Sequence, residues 1–138
     1  MKKIGIAASM ALCLILIATT ASAGLFSEPA VTEARQFAQI IDSRKTEAAY
    51  TQASTLLRLS RDQQEWSQTI NRSQTLLGAV HERTLVAVRS VQTFPKLPDG
   101  DYLIVQFNAQ TTHKSSAAEV ILLHQEGSDW LVADYSIR

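Results

Sequence analysis

Sulfur is almost missing from this sequence, which has one cysteine, Cys13, among 138 residues. Cys13 falls inside an N-terminal apolar run that reads as a removable leader, so the folded part keeps neither a disulfide nor a thiol nucleophile. Stability then rests on packing. Glycine is scarce, with five residues, and none forms the spaced cluster that a phosphate-cradling loop requires. No serine sits in a Gly-x-Ser-x-Gly elbow. There are three histidines, His81, His113 and His124, and no two have the His-x-His or His-x-x-x-His spacing of a metal-binding pair. No metal and no cofactor is expected. Net charge is also absent, because 13 basic residues match 13 acidic ones and the signs are interspersed along the chain. That excludes the basic footprint of a nucleic-acid binder and a polybasic membrane patch.

What is present begins with the leader. Lys2 and Lys3 precede the apolar run from Ile4 to Ala18, and Ala21-Ser22-Ala23 offers the small-x-small pattern that a signal peptidase accepts. The run is shorter than the roughly 20 residues that cross a bilayer as a helix. Leu12 stands where a lipoprotein would need a small residue before Cys13. The expectation is a signal peptide over 1–23, cleavage after Ala23, a periplasmic or secreted product, and one α+β domain over 24–138 with no membrane span.

Within that domain the longest strand is expected over Gly100 to Thr112. Leu103, Val105, Phe107 and Ala109 recur at every second residue, while Gln106, Asn108, Gln110 and Thr112 fall on the other face. Before it, Ser27-Glu28-Pro29 reads as a helix start, with Val31, Ala34, Phe37, Ala38 and Ile41 on one stripe as far as Asp42. A short helix follows over Lys45 to Ser54, its heaviest contact Tyr50. Ser60 with Gln63 fits a capping box for a third helix that ends near Leu77 at Gly78. Its inner face is expected to carry Leu59, Trp66, Ile70, Ser73 and Leu77. From Ala79 the period becomes alternating, giving strands from Ala79 to Phe94, the central strand, Ser116 to Gln125, and Trp130 to Ile137. Segregated helices and strands of this kind predict an α+β domain: about three N-terminal helices packed on a curved four-stranded antiparallel sheet, cystatin-like or nuclear-transport-factor-like. The first and last strands are left as edges.

Trp66, Arg72, Leu77-Gly78, Arg83, Pro98-Asp99-Gly100-Asp101-Tyr102, Gln106-Phe107, Ala118-Glu119-Val120 and the ending Trp130 to Arg138 occur in an order that resembles the small exported bacterial proteins grouped as domain of unknown function 4019. The resemblance covers nearly all of the chain after the leader. It implies a helix-plus-sheet domain behind a signal peptide, with no assigned activity and no site to carry over. Where members usually have a glycine before the last aromatic, this chain has Asp134.

Candidate chemistry is thin. Glu119 and His124 fall on opposite sides of a regular strand and make no acid–base pair, and only folding could bring Glu82, Glu119 and Asp134 together. No ionisable group interrupts the inward stripe of the central strand, which predicts a closed core. Arg72, Arg83, Arg89 and Arg138 either pair with carboxylates at the core edge or, for Arg83 and Arg89, read an anionic partner by a bidentate fork. Tyr102, Trp130 and Tyr135 could add an aromatic surface to such a contact. Two function classes follow. One is a non-catalytic envelope module that binds a protein through a sheet edge or face; the other is a carrier or small enzyme with a pocket between sheet and helices.

Overall fold

The structure is a computed structural model that describes residues 22–138, with side chains from Glu28 onward. The expected leader therefore lies, through Ala21, outside the described residues. Four helices lead into four strands: α1 (Ser22–Asp42), α2 (Thr46–Gln52), α3 (Thr55–Ser60), α4 (Gln63–Leu77), β1 (Val80–Val91), β2 (Tyr102–Thr111), β3 (Ala117–Glu126) and β4 (Asp129–Ile137). The strands form one open antiparallel meander in the order β1-β2-β3-β4. The chain is thus α+β. Among the described residues no helix is long and apolar enough to cross a membrane.

Three helix expectations need correction. The helix expected to open at Ser27 instead runs through Pro29 from Ser22, although an interior proline loses its N–H bond and its ring crowds the preceding turn. Four helices, not about three, stand before the sheet. The additional one, α3, is short and is held by tertiary contacts: Ser54 caps it by accepting from Leu56 N, and Glu126 Oε1 accepts from Ser54 Oγ, from Thr55 N at 3.2 Å and from Thr55 Oγ1 at 3.0 Å. At its other end Tyr50 Oη donates to Arg58 O and Arg61 O. The cap of α4 is Asp62, whose carboxylate accepts from Gln64 N and Glu65 N, rather than Ser60, whose hydroxyl donates to Leu57 O. Leu59, expected on the inner face, is consequently 85% exposed at the end of α3.

The core lies between the helices and one face of the sheet. The α1 stripe of Ala34, Phe37, Ala38 and Ile41 is buried as its spacing predicts, and so is the β2 stripe of Leu103, Val105, Phe107 and Ala109. Trp66 is fully buried in the same core, its ring 6.2 Å from that of Phe37 and 5.7 Å from that of Tyr50. Aromatic rings thus fill the space between sheet and helices. Arg35 covers the edge of this core, its guanidinium 4.9 Å above the Phe107 ring.

Bulges decide which side chains share a face. On β1 the register shifts between Leu85 and Ala87, and on β4 across Ala133. Each extra residue flips the strand's parity. Arg83 and Val88 therefore both face inward, opposite Ala109 and Val105, although odd and even positions of a regular strand would face apart. Tyr135 joins the inner face by the same device on β4. The outer face is half covered. There Tyr102, Leu122 and Ala133 are buried under Phe94 and Leu97 of the β1–β2 loop and under Leu56. The β4 edge, which sequence leaves open, is met from earlier in the chain: Ser54 N donates to Val132 O at 2.8 Å.

Candidate functional site

Ionisable residues gather at two places, one on each face of the sheet. The inner group is centred on Glu119 of β3, which pairs with Phe107 of β2 and is fully buried. Arg83 grips it with Nε to Oε2 and with Nη2 to Oε1 at 3.0 Å, and Tyr135 Oη donates to Oε1 at 2.7 Å. The far side of the same guanidinium holds Asp42 at the end of α1, with Nη1 and Nη2 each 3.1 Å from a carboxylate oxygen. A buried carboxylate is tolerable only when its charge and lone pairs are met in this way. Burial alone would push Arg83 down, yet its hydrogen bonds and charge attraction to Glu119 and Asp42 outweigh that and hold it above its ordinary value. Burial, reinforced by the Glu119 charge, pushes the Tyr135 phenol well up. The group is closed on itself: the fork of Arg83, a candidate for an outside anion, is directed at the chain's own acids.

Beside it lies a cavity of about 110 Å³, lined in part by Asp42, Gln74, Leu77, Tyr135 and Ile137. That volume suits a few water molecules and is well below the ~300 Å³ at which small-molecule pockets begin. Gln74 Nε2 donates to Ile41 O at 2.6 Å. Arg44 at the rim has a left-handed backbone, φ 59°, because it closes α1: its N–H bonds Ile41 O and the next N–H bonds Ile40 O.

The outer group has a different character. Pairing across the sheet puts Arg89, Ile104, Leu122 and Asp134 in one row, and Gln106, Val120 and Ser136 in the next. These rows, apart from Gln106, line a groove of about 480 Å³ that continues past β4 to Thr69, Ile70 and Ser73 of α4 and takes in Phe94, Arg61 and Arg138. A second hollow of similar size, about 480 Å³, adjoins it and shares Arg61, Phe94 and Asp134, adding Lys96 from the β1–β2 loop. Asp134 is desolvated there and its carboxyl is raised, although the Tyr135 N–H and the Arg61 charge oppose the shift. Among the described residues the ion pairs are those of Arg83 with Asp42 and Glu119, and a His124–Glu126 contact at 3.6 Å. Arg61, Arg89, Arg138 and Lys96 take part in none of them.

The five residues singled out from sequence are thus divided. Arg83 and Tyr135 meet through Glu119 on the inner face, and Arg89 lies in the outer groove. Tyr102 is buried beneath the loop, its hydroxyl donating to Pro98 O and its ring 4.9 Å from His124, while Trp130 packs half-buried against the core. Glu82, Glu119 and Asp134 do not converge, since Glu82 is exposed and the other two face opposite ways. His81 contacts Thr112 Oγ1 at 3.0 Å, while His124 stacks on Tyr102 at the other end of β2. Among the described residues no three histidine, cysteine, aspartate or glutamate side chains are placed to hold a metal. Sequence reasoning missed the pairing of Glu119 with Arg83, although a signal existed: Glu119 interrupts the inward alternation of Ala117, Ile121 and Leu123. For Arg61 and Asp42 no local signal exists.

A family described as Protein of unknown function (DUF4019) matches residues 33–135. No curated protein matches the chain, and no solved structure does.

Proposed function

Starting from the fact that this chain belongs to the DUF4019 family, whose function is unknown, we propose that it is an exported, non-catalytic binding domain of the bacterial cell envelope whose working surface is the outer face of the sheet. One observation carries this reading. The outer groove combines an apolar floor of Ile104, Val120 and Leu122 with guanidiniums that have no internal carboxylate partner among the described residues. These cations are solvent-exposed and so remain available to a partner, whereas the buried inner group has to meet its own charges. Export rests on the Lys2/Lys3 start and the Ala21-Ser22-Ala23 pattern, with mature protein beginning at Gly24. The cystatin-like or nuclear-transport-factor-like kinship rests on the meander with helices over one face, and adds no chemistry.

The carrier or enzyme alternative needs a roomy pocket under the sheet, and that space is occupied by Phe37, Trp66, Phe107 and Tyr135 around a cavity of about 110 Å³. Partner capture from envelope extracts, with wild type and with Val120→Glu after its fold is checked by circular dichroism, tests the reading. A partner lost with the variant is the expected outcome. An identical partner list for both proteins would overturn it. Intact-mass measurement of the periplasmic protein tests export separately, and a mass retaining Met1 to Ala23 would refute cleavage at Gly24.

A further inference from the structure

We infer that the outer groove takes an extended acidic peptide segment, with an apolar residue on the floor between arginines. The inference rests on the reading of the outer face as the working surface and adds the chemistry of what binds there. Four side-chain cations line the joined hollows, Arg61, Arg89, Arg138 and Lys96, against one side-chain carboxylate, Asp134. Their field selects a negative ligand.

The shape of the lining decides between kinds of anion. Arg89 and Asp134 stand at opposite ends of one row, three strand spacings or about 14 Å apart. The floor of Ile104, Val120 and Leu122 occupies the middle of that span, and on the side of α4 it meets Ile70, Ile137 and the hydroxyls of Ser73 and Ser136. A hydrocarbon chain long enough to fill the groove would lie against those hydroxyls and guanidiniums and leave them unpaired, at a cost of desolvation for each. An extended peptide does not meet that difficulty. It places one apolar side chain on the floor and carboxylates toward the arginines, and its own backbone groups can meet the hydroxyls. Arg forks also favour carboxylates geometrically.

The probe is a fluorescein-labelled ten-residue peptide with glutamates flanking a central Leu-Ser-Leu, its all-glutamine counterpart, and oleate, each titrated against the full protein by anisotropy or competition. The acidic peptide should bind at least ~10-fold more tightly than the glutamine one at low salt, and added sodium chloride should weaken it. Arg89→Ala and Arg61→Ala should each weaken it by ~3–10-fold, the range for losing one partly exposed charge-assisted contact. Arg72→Ala, on the exposed side of α4 and outside the groove, should leave affinity unchanged. Asp134→Asn removes the one opposing charge and should tighten binding by ~2–5-fold. Equal affinity for the two peptides, absence of binding up to about 1 mM, or oleate binding where the acidic peptide does not, each overturns the inference. If Val120→Glu nonetheless loses an envelope partner, the outer face is still the working surface and only the acidic-peptide chemistry is withdrawn.

Discussion

Glu119 and Asp134 lie on neighbouring strands of one sheet and face opposite ways, and their surroundings differ in kind. Glu119 is fully buried, accepts hydrogen bonds from Arg83 and Tyr135, and shares Arg83 with Asp42. Asp134 is half-buried, accepts from its neighbour's backbone N–H, and feels the Arg61 charge without forming an ion pair. One carboxylate completes a closed structural unit; the other sits in a groove whose charges point outward. The lesson is that an ion cluster is judged by whether its charges are already satisfied. By that measure the fully buried acid, the more conspicuous of the two, is the structural one, and the wetter groove is the place to look for a partner.

The largest effects are expected on the apolar side of the inner face. Trp66→Ala and Phe107→Ala should each cost about 3–5 kcal/mol in chemical denaturation, as large aromatics removed from a filled core do; a loss below ~1 kcal/mol would mean that the core is not where these residues place it. Glu119→Leu comes next, at about 2–3 kcal/mol, less than the usual cost of breaking a buried pair because Asp42 still holds the fork of Arg83. Adding Arg83→Met should recover most of that loss. If the double variant is no better than the single one, the inner group is not the self-contained unit described above.

Asp134→Asn should change stability by less than about 1 kcal/mol, with a sign that depends on pH. The carboxyl is raised in the folded state, so the folded protein binds its proton more tightly than the unfolded chain does. Its favourable contribution is fully present below the unfolded value and is lost as pH rises through the folded one. The asparagine variant should therefore gain relative to wild type between acid and neutral pH, and a relative loss over that interval would contradict the desolvation of Asp134. The smallest effects belong to Arg61→Ala, Lys96→Ala and Arg89→Ala, each within about 0.5 kcal/mol of wild type. These side chains are to be read by binding, and a large stability loss at any of them would place it with the structural charges instead.

Much of the fold was legible in advance where the pattern was long and regular. The α1 and β2 stripes, the burial of Trp66, the Gly78 stop and the order of the four strands all follow from period and turn chemistry. Short elements were not legible. α3 spans Thr55–Ser60, too short to be stable alone, and it exists because Glu126, distant in sequence, accepts from Ser54 and Thr55 while Tyr50 holds its end. The same contacts leave Leu59 exposed and move the cap of α4 to Asp62, which no local pattern at Ser60 could indicate. For the inner group the Glu119 signal was present in the alternation of β3, but its partner was hidden by the β1 bulge that brings Arg83 to the same face.

The α+β class, the strand order, the apolar stripes and the family are all written in local periodicity and in residue order along the chain. Which charges are satisfied depends instead on how the strands pair. Bulges at Val86 and Ala133 reverse strand parity, and pairing across β1 to β4 joins Arg89, Ile104, Leu122 and Asp134 into one row. Neither the insertion of one residue into a ladder nor the meeting of four strands leaves a periodic trace in any single segment, so the closed inner cluster and the open outer groove come into view only once the strands are paired.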